Sequence, residues 1–71
     1  MDDNTYIKVQ RAKRQKAEKL DLSNSNLALL PSDIFLLTDL KELDLSNNRI
    51  NILDEKISAL QKLTYLNLGN N

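Results

Sequence analysis

One repeat period, the step from Leu20 to Leu43 and on to Leu66, constrains this chain more than any other feature in it. Residues 40–50 carry apolar side chains at Leu40, Leu43, Leu45 and Ile50, with an asparagine at Asn48. The same frame stands one period earlier, at Ala17, Leu20, Leu22, Ser25 and Leu27, and one period later, at Leu63, Leu66, Leu68 and Asn71. Between these segments Leu30 matches Leu53, Ile34 matches Ile57 and Leu37 matches Leu60. Asn24, Asn47 and Asn70 share a position, as do Ser23, Ser46 and Gly69. The chain is a repeat array, in which each unit buries its apolar side chains only against its neighbours.

The Leu-x-Leu step points two leucines the same way from an extended segment, because side chains alternate across a strand. Leu20 and Leu22, Leu43 and Leu45, and Leu66 and Leu68 are therefore expected to face inward, with Asp21, Asp44 and Asn67 facing outward. The asparagines that follow suit a tight turn: their amides satisfy backbone groups and their backbones tolerate left-handed geometry. Stacked turns then form a ladder of such side chains, in which Ser25 supplies a weaker version. Residues 27–30 and 50–53 are expected to continue inward, and Pro31 imposes an extended bend. Residues 32–40 and 54–63 space their apolar side chains by three, which predicts short helical or 3₁₀ turns on the outer side. Ser32 or Asp33, and Asp54, are the expected caps of those turns.

Ahead of the repeats, residues 6–16 lack Gly and Pro and are rich in helix formers. Asp2, Asp3, Asn4 and Thr5 offer N-caps, and the basic residues accumulate toward the other end, as the helix dipole prefers. Tyr6, Val9, Ala12 and Ala17 fall on one broad side, with Ile7 at its edge. This predicts a capping helix over the hydrophobic end of the first repeat, which a solenoid needs for solubility.

Ten basic and ten acidic residues cancel over the 71, yet they are unevenly distributed. Between positions 8 and 19, Lys8, Arg11, Lys13, Arg14, Lys16 and Lys19 stand against Glu18 alone, while residues 20–71 are acidic on balance. The basic helix could contact nucleic acid phosphates or a membrane surface. No bulky aromatic interleaves with its charges and its apolar face is thin, so nucleic acid and membrane insertion are disfavoured against a solvated cap. Catalysis is disfavoured too. Histidine and cysteine are absent, and the one glycine, Gly69, cannot build a phosphate-cradling loop. The carboxylate pairs Asp2/Asp3 and Asp21/Asp44 read as solvated side chains rather than metal or acid–base groups, and no cofactor is expected. The acidic, non-apolar beginning of the chain is unlike a signal peptide. With no cysteine for disulfides, the expected location is cytoplasmic or nuclear.

Residues 40–50 fit in full the pattern L-x-x-L-x-L-x-x-N-x-L, and on this motif residues 17–71 resemble the leucine-rich repeat family. Ala17 and Ser25 depart from the motif in the first unit, and the third is cut off after Asn71. Residues 30–34, Leu-Pro-Ser-Asp-Ile, resemble the outer arm of the cytosolic type whose repeats share this chain's period. The resemblance implies an α/β fold: a leucine-rich-repeat solenoid of parallel strands with short outer helical turns, preceded by an N-terminal capping helix. Its expected division is a basic capping helix over residues 1–19 and repeats over 20–71, two complete and the third truncated. It also implies a non-catalytic protein–protein interaction or scaffolding module that grips protein partners through its concave sheet. The matching variable positions are Lys19, Asp21, Ser23, Glu42, Asp44, Ser46, Tyr65 and Asn67, with Tyr65 the strongest anchor on chemistry. The alternative function is the targeting or regulatory head of a larger enzyme.

Two further expectations concern apolar surface. Leu29 and Ile52, with Phe35 and Leu36, either form an exposed flank ridge or pack against the outer turns. Leu60, Leu63, Leu66 and Leu68 would form an uncovered C-terminal face beside an open strand edge, allowing self-association and leaving the isolated chain short of a self-sufficient monomer.

Overall fold

The computed structural model describes residues 3–71. A helix, α1 (Asp3–Gln15), is followed by three short strands, β1 (Lys19–Asp21), β2 (Glu42–Asp44) and β3 (Tyr65–Asn67). The strands form one parallel sheet in the order β1-β2-β3, and single 3₁₀ turns, Ser32–Leu36 and Glu55–Ala59, lie between them. The pairing register is the sequence period itself: Lys19 faces Glu42 and Glu42 faces Tyr65, and likewise Leu20, Leu43 and Leu66. Backbone pairing runs past the strands, since Leu22 N–H donates to Asp44 O at 2.8 Å and Leu45 N–H to Asn67 O at 2.8 Å.

Repetition fixes where the core sits. Leu22, Ile34, Leu40, Leu43 and Leu45 are wholly buried, with Leu20, Leu27, Leu37, Ile50 and Leu60 packed among them. Residues 27–30 and 50–53 depart from the expected inward course. Leu27 and Ile50 are buried and Leu30 is half-buried, but Leu29 and Ile52 are about 70% exposed and Leu53 is also exposed. Leu27 and Leu29, two residues apart, would share a face in a regular strand, so these bent arms do not keep strand alternation and a run of apolar letters does not make a run of buried ones. The flank ridge therefore exists at Leu29 and Ile52, and Leu36 on the outer turn is exposed too, while Phe35 is half-buried. The C-terminal face is smaller than expected: Leu60 is buried, and Leu63, Leu66 and Leu68 are half-buried against the core.

The asparagine ladder is explicit. Asn48 Oδ1 accepts from Ser25 and Leu27 N–H at 2.9 and 3.0 Å, and its amide donates to the carbonyls of Leu22, Leu45 and Ser46. Asn71 repeats this, accepting from Ile50 N–H at 2.9 Å and donating to Leu45, Leu68 and Gly69 carbonyls. The preceding asparagine takes the other duty: Asn24, Asn47 and Asn70 hold the left-handed backbone, with φ of 54°, 56° and 57°.

Helix α1 begins three residues before the expected start at Tyr6, so Asn4 and Thr5 are helical rather than caps. Asp2 lies outside the described residues. The buried stripe is Thr5, Val9 and Ala12, and Tyr6 and Ile7 are about half exposed. An i, i+4, i+7 row through Thr5 passes on one side of Tyr6, which moves the docking face by one residue. Of the expected turn caps, Asp54 accepts from Lys56 N–H at 2.9 Å, but Pro31, not Ser32 or Asp33, occupies the cap position of the earlier turn. Asp33 instead accepts from the Gln10 side chain at 2.7 Å, tying that turn to α1.

Candidate functional site

The outward side chains of the sheet stack into rows. In the first, Lys19 Nζ lies 3.1 Å from Glu42 Oε2, the lysine largely in solvent and the glutamate partly so. Such a pair contributes about 0–1 kcal/mol, enough to align two side chains and too little to hold the strands. Tyr65 completes the row with half its surface exposed.

The second row comprises Asp21, Asp44 and Asn67 in register. Asp21 Oδ1 accepts from the N–H and hydroxyl of Ser23 at 2.9 and 2.6 Å. Asp44 does the same with Ser46 at 2.9 and 2.7 Å, and Asn67 Oδ1 accepts from Gly69 N–H at 2.9 Å. Each forms a small turn that bends the chain out of its strand. The Ser23 hydroxyl and then its backbone N–H hold the Asp21 carboxyl below its ordinary value, assisted by the nearby Lys8 charge and opposed slightly by burial. A depressed folded value means that this contribution is present above the unfolded pKa of about 3.9 and is lost as pH falls through the folded one.

The third row is mostly consumed by that arrangement. Ser46 is buried and Ser23 half-buried, and both donate their hydroxyls to the aspartates beside them. What stays presented is Lys19, Asp21, Glu42, Asp44 and Tyr65, which with Leu20 line a shallow depression of about 320 Å³. Asn67 lies half-buried at its margin in register with Asp44. A hollow of that size takes one or two side chains, not a large cofactor.

Two larger hollows lie on the flank. One, of about 500 Å³, is lined by residues 25–31 without a charged group, and the other, of about 480 Å³, runs from Leu29 and Ile52 to Asp54 and Glu55. Neither gathers converging polar side chains as the sheet face does. Two ion pairs escaped the sequence reading: Lys41–Glu18 at 3.6 Å and Lys62–Asp39 at 3.1 Å. Their signal was the repeat offset, since opposite charges one period apart fall side by side once strands stack in register. Among the described residues there is no cluster of three or more metal-ligating side chains, and no helix long and apolar enough to cross a membrane.

Parallel strands one repeat apart, 3₁₀ turns between them, and an asparagine (Asn48, Asn71) sewing each turn to the one before define a repeat solenoid. The family model for the leucine-rich repeat matches residues 15–71, and the chain belongs to that family. A solved leucine-rich-repeat protein from Leptospira interrogans is similar, with 41% sequence identity and a TM-score of 0.75 over 87% of this chain. This chain spans 16% of the length of that protein. No curated protein sequence matches it. Members of the family generally serve as protein–protein interaction modules and are typically non-catalytic.

Proposed function

We propose that the chain is a non-catalytic recognition module whose protein partner docks on the concave sheet face, in contact with Lys19, Asp21, Glu42, Asp44 and Tyr65. One observation carries this reading. These side chains meet around one depression, and Tyr65 is half exposed there, offering the apolar ring and polar hydroxyl that favour tyrosine at interfaces. Ser23 and Ser46 serve as supports, because they fix the turns that aim Asp21 and Asp44, and Asn67 closes the equivalent turn of the third repeat.

The test is capture of a partner from an extract of the source cells. A photocrosslinking side chain at position 65 should capture a protein, while one at Arg11, exposed on α1, should not. Combining Asp44→Lys with Tyr65→Ala should abolish capture and leave the circular dichroism spectrum unchanged. Full capture by that double variant would assign the partner to another surface.

A further inference from the structure

Deepening the proposed function, on which it rests, we infer that the concave face recognises an arginine side chain on its partner, held between Asp21 and Asp44 and stacked on Tyr65. The three turns that follow the strands are the starting point. Asn67 closes its turn on Gly69 with an amide oxygen, so the turn requires an acceptor there and not a charge. Asp21 and Asp44 nevertheless place two carboxylates on neighbouring strands in direct register, about 4.8 Å apart by strand spacing, where like charges repel.

Their neighbours offset that charge only in part and only at Asp21, which shares a hollow with Lys8, Arg11 and Lys19. Lys19 is engaged with Glu42, and neither aspartate forms an ion pair among the described residues. Lys8 acts on Asp21 only through space. In each aspartate the hydrogen bonds from serine go to Oδ1, which leaves Oδ2 available to an incoming donor. The depression thus holds one cation and three anions, with an exposed aromatic on its edge.

A guanidinium matches this arrangement better than an ammonium does. Its planar fork can reach two carboxylates at once, and its face can lie on the Tyr65 ring. A flat, weakly hydrated cation also loses less on leaving water than a compact one. The partner chemistry is therefore a basic segment with an arginine flanked by small residues, since the hollow is shallow and about 320 Å³ in volume.

The experiment titrates the isotope-labelled 71-residue chain with three capped peptides of sequence Gly-Ser-Xaa-Ser-Gly, where Xaa is arginine, lysine or the uncharged isostere citrulline. Amide shifts should move at Asp21, Asp44 and Tyr65 with the arginine peptide, less with lysine and least with citrulline. Asp21→Asn or Asp44→Asn should each weaken arginine binding about tenfold, the loss of one charge-assisted hydrogen bond. Both substitutions keep the turn, as Asn67 does, so an unchanged amide spectrum elsewhere separates lost recognition from lost fold. Equal shifts with arginine and citrulline would overturn the arginine inference while leaving the concave face as the docking surface. Absence of any shift at about 1 mM peptide would also overturn it. Shifts confined to Leu29 and Ile52 would overturn both the inference and the reading on which it rests.

Discussion

At the scale of single residues, Asn48 does the most for this fold. Its side chain serves five backbone groups, and those of Ser25, Leu27 and Leu22 belong to the preceding repeat. The ladder therefore runs backward along the chain. Ser25, at the same position of the first repeat, has no earlier repeat to serve, and its hydroxyl only donates to Ser23 O at 3.2 Å. Asn48→Ala should cost about 2–4 kcal/mol, because it strips partners from buried backbone groups as well as losing its own bonds. Ser25→Ala should cost about 1 kcal/mol or less. Urea denaturation of both variants checks this, and equal losses would contradict the backward direction of the ladder.

At the scale of elements, α1 is a lid whose fastening is visible at both edges. Thr5, Val9 and Ala12 are buried, and Gln10 reaches Asp33 on the outer turn of the first repeat. The helix stops at Lys16, which takes a left-handed φ of 50°, and Ala17 N–H closes back on Ala12 O at 3.0 Å. Those two features, with the longer Lys16–Lys13 contact of 3.4 Å, make a Schellman motif that turns the chain directly into β1. Val9→Asp should therefore lower stability by about 3 kcal/mol or more, since it forces a carboxyl into an apolar seam. Lys13→Asp, on the exposed side, should cost under about 1 kcal/mol through the helix dipole. Thermal melts compare them, and equal, negligible changes would show that the lid is undocked.

At the scale of the whole 71-residue chain taken by itself, stability should decline along the array. Strand β2 has a paired strand on each side, while β3 has one. The amides of Leu22 and Leu45 donate to the following repeat at 2.8 Å, and Leu68, next in that series, makes no such bond among the described residues. Native-state hydrogen exchange should show the Leu45 amide exchanging about a hundredfold or more slowly than that of Leu68. Uniform protection across both positions would mean that the sheet opens only as a unit.

The period by itself determined the parallel sheet, its register, the inward leucines and the asparagine ladder, because a strictly constant repeat length brings equivalent positions side by side wherever the strands stack. It also marked out the candidate row of Lys19, Glu42 and Tyr65. Tertiary structure decided what a periodic pattern cannot encode. Letters alone could not say that Leu29 and Ile52 face solvent while Leu30 is half-buried, since the outer arm is neither strand nor helix and gives its apolar side chains no fixed period. Nor could they choose Thr5 over Tyr6 for the seam of α1, because the angle at which a helix docks is set by the surface beneath it. The third case is Ser46, outward by its place in the motif and yet buried, because its hydroxyl and N–H are drawn onto Asp44 in folding the turn.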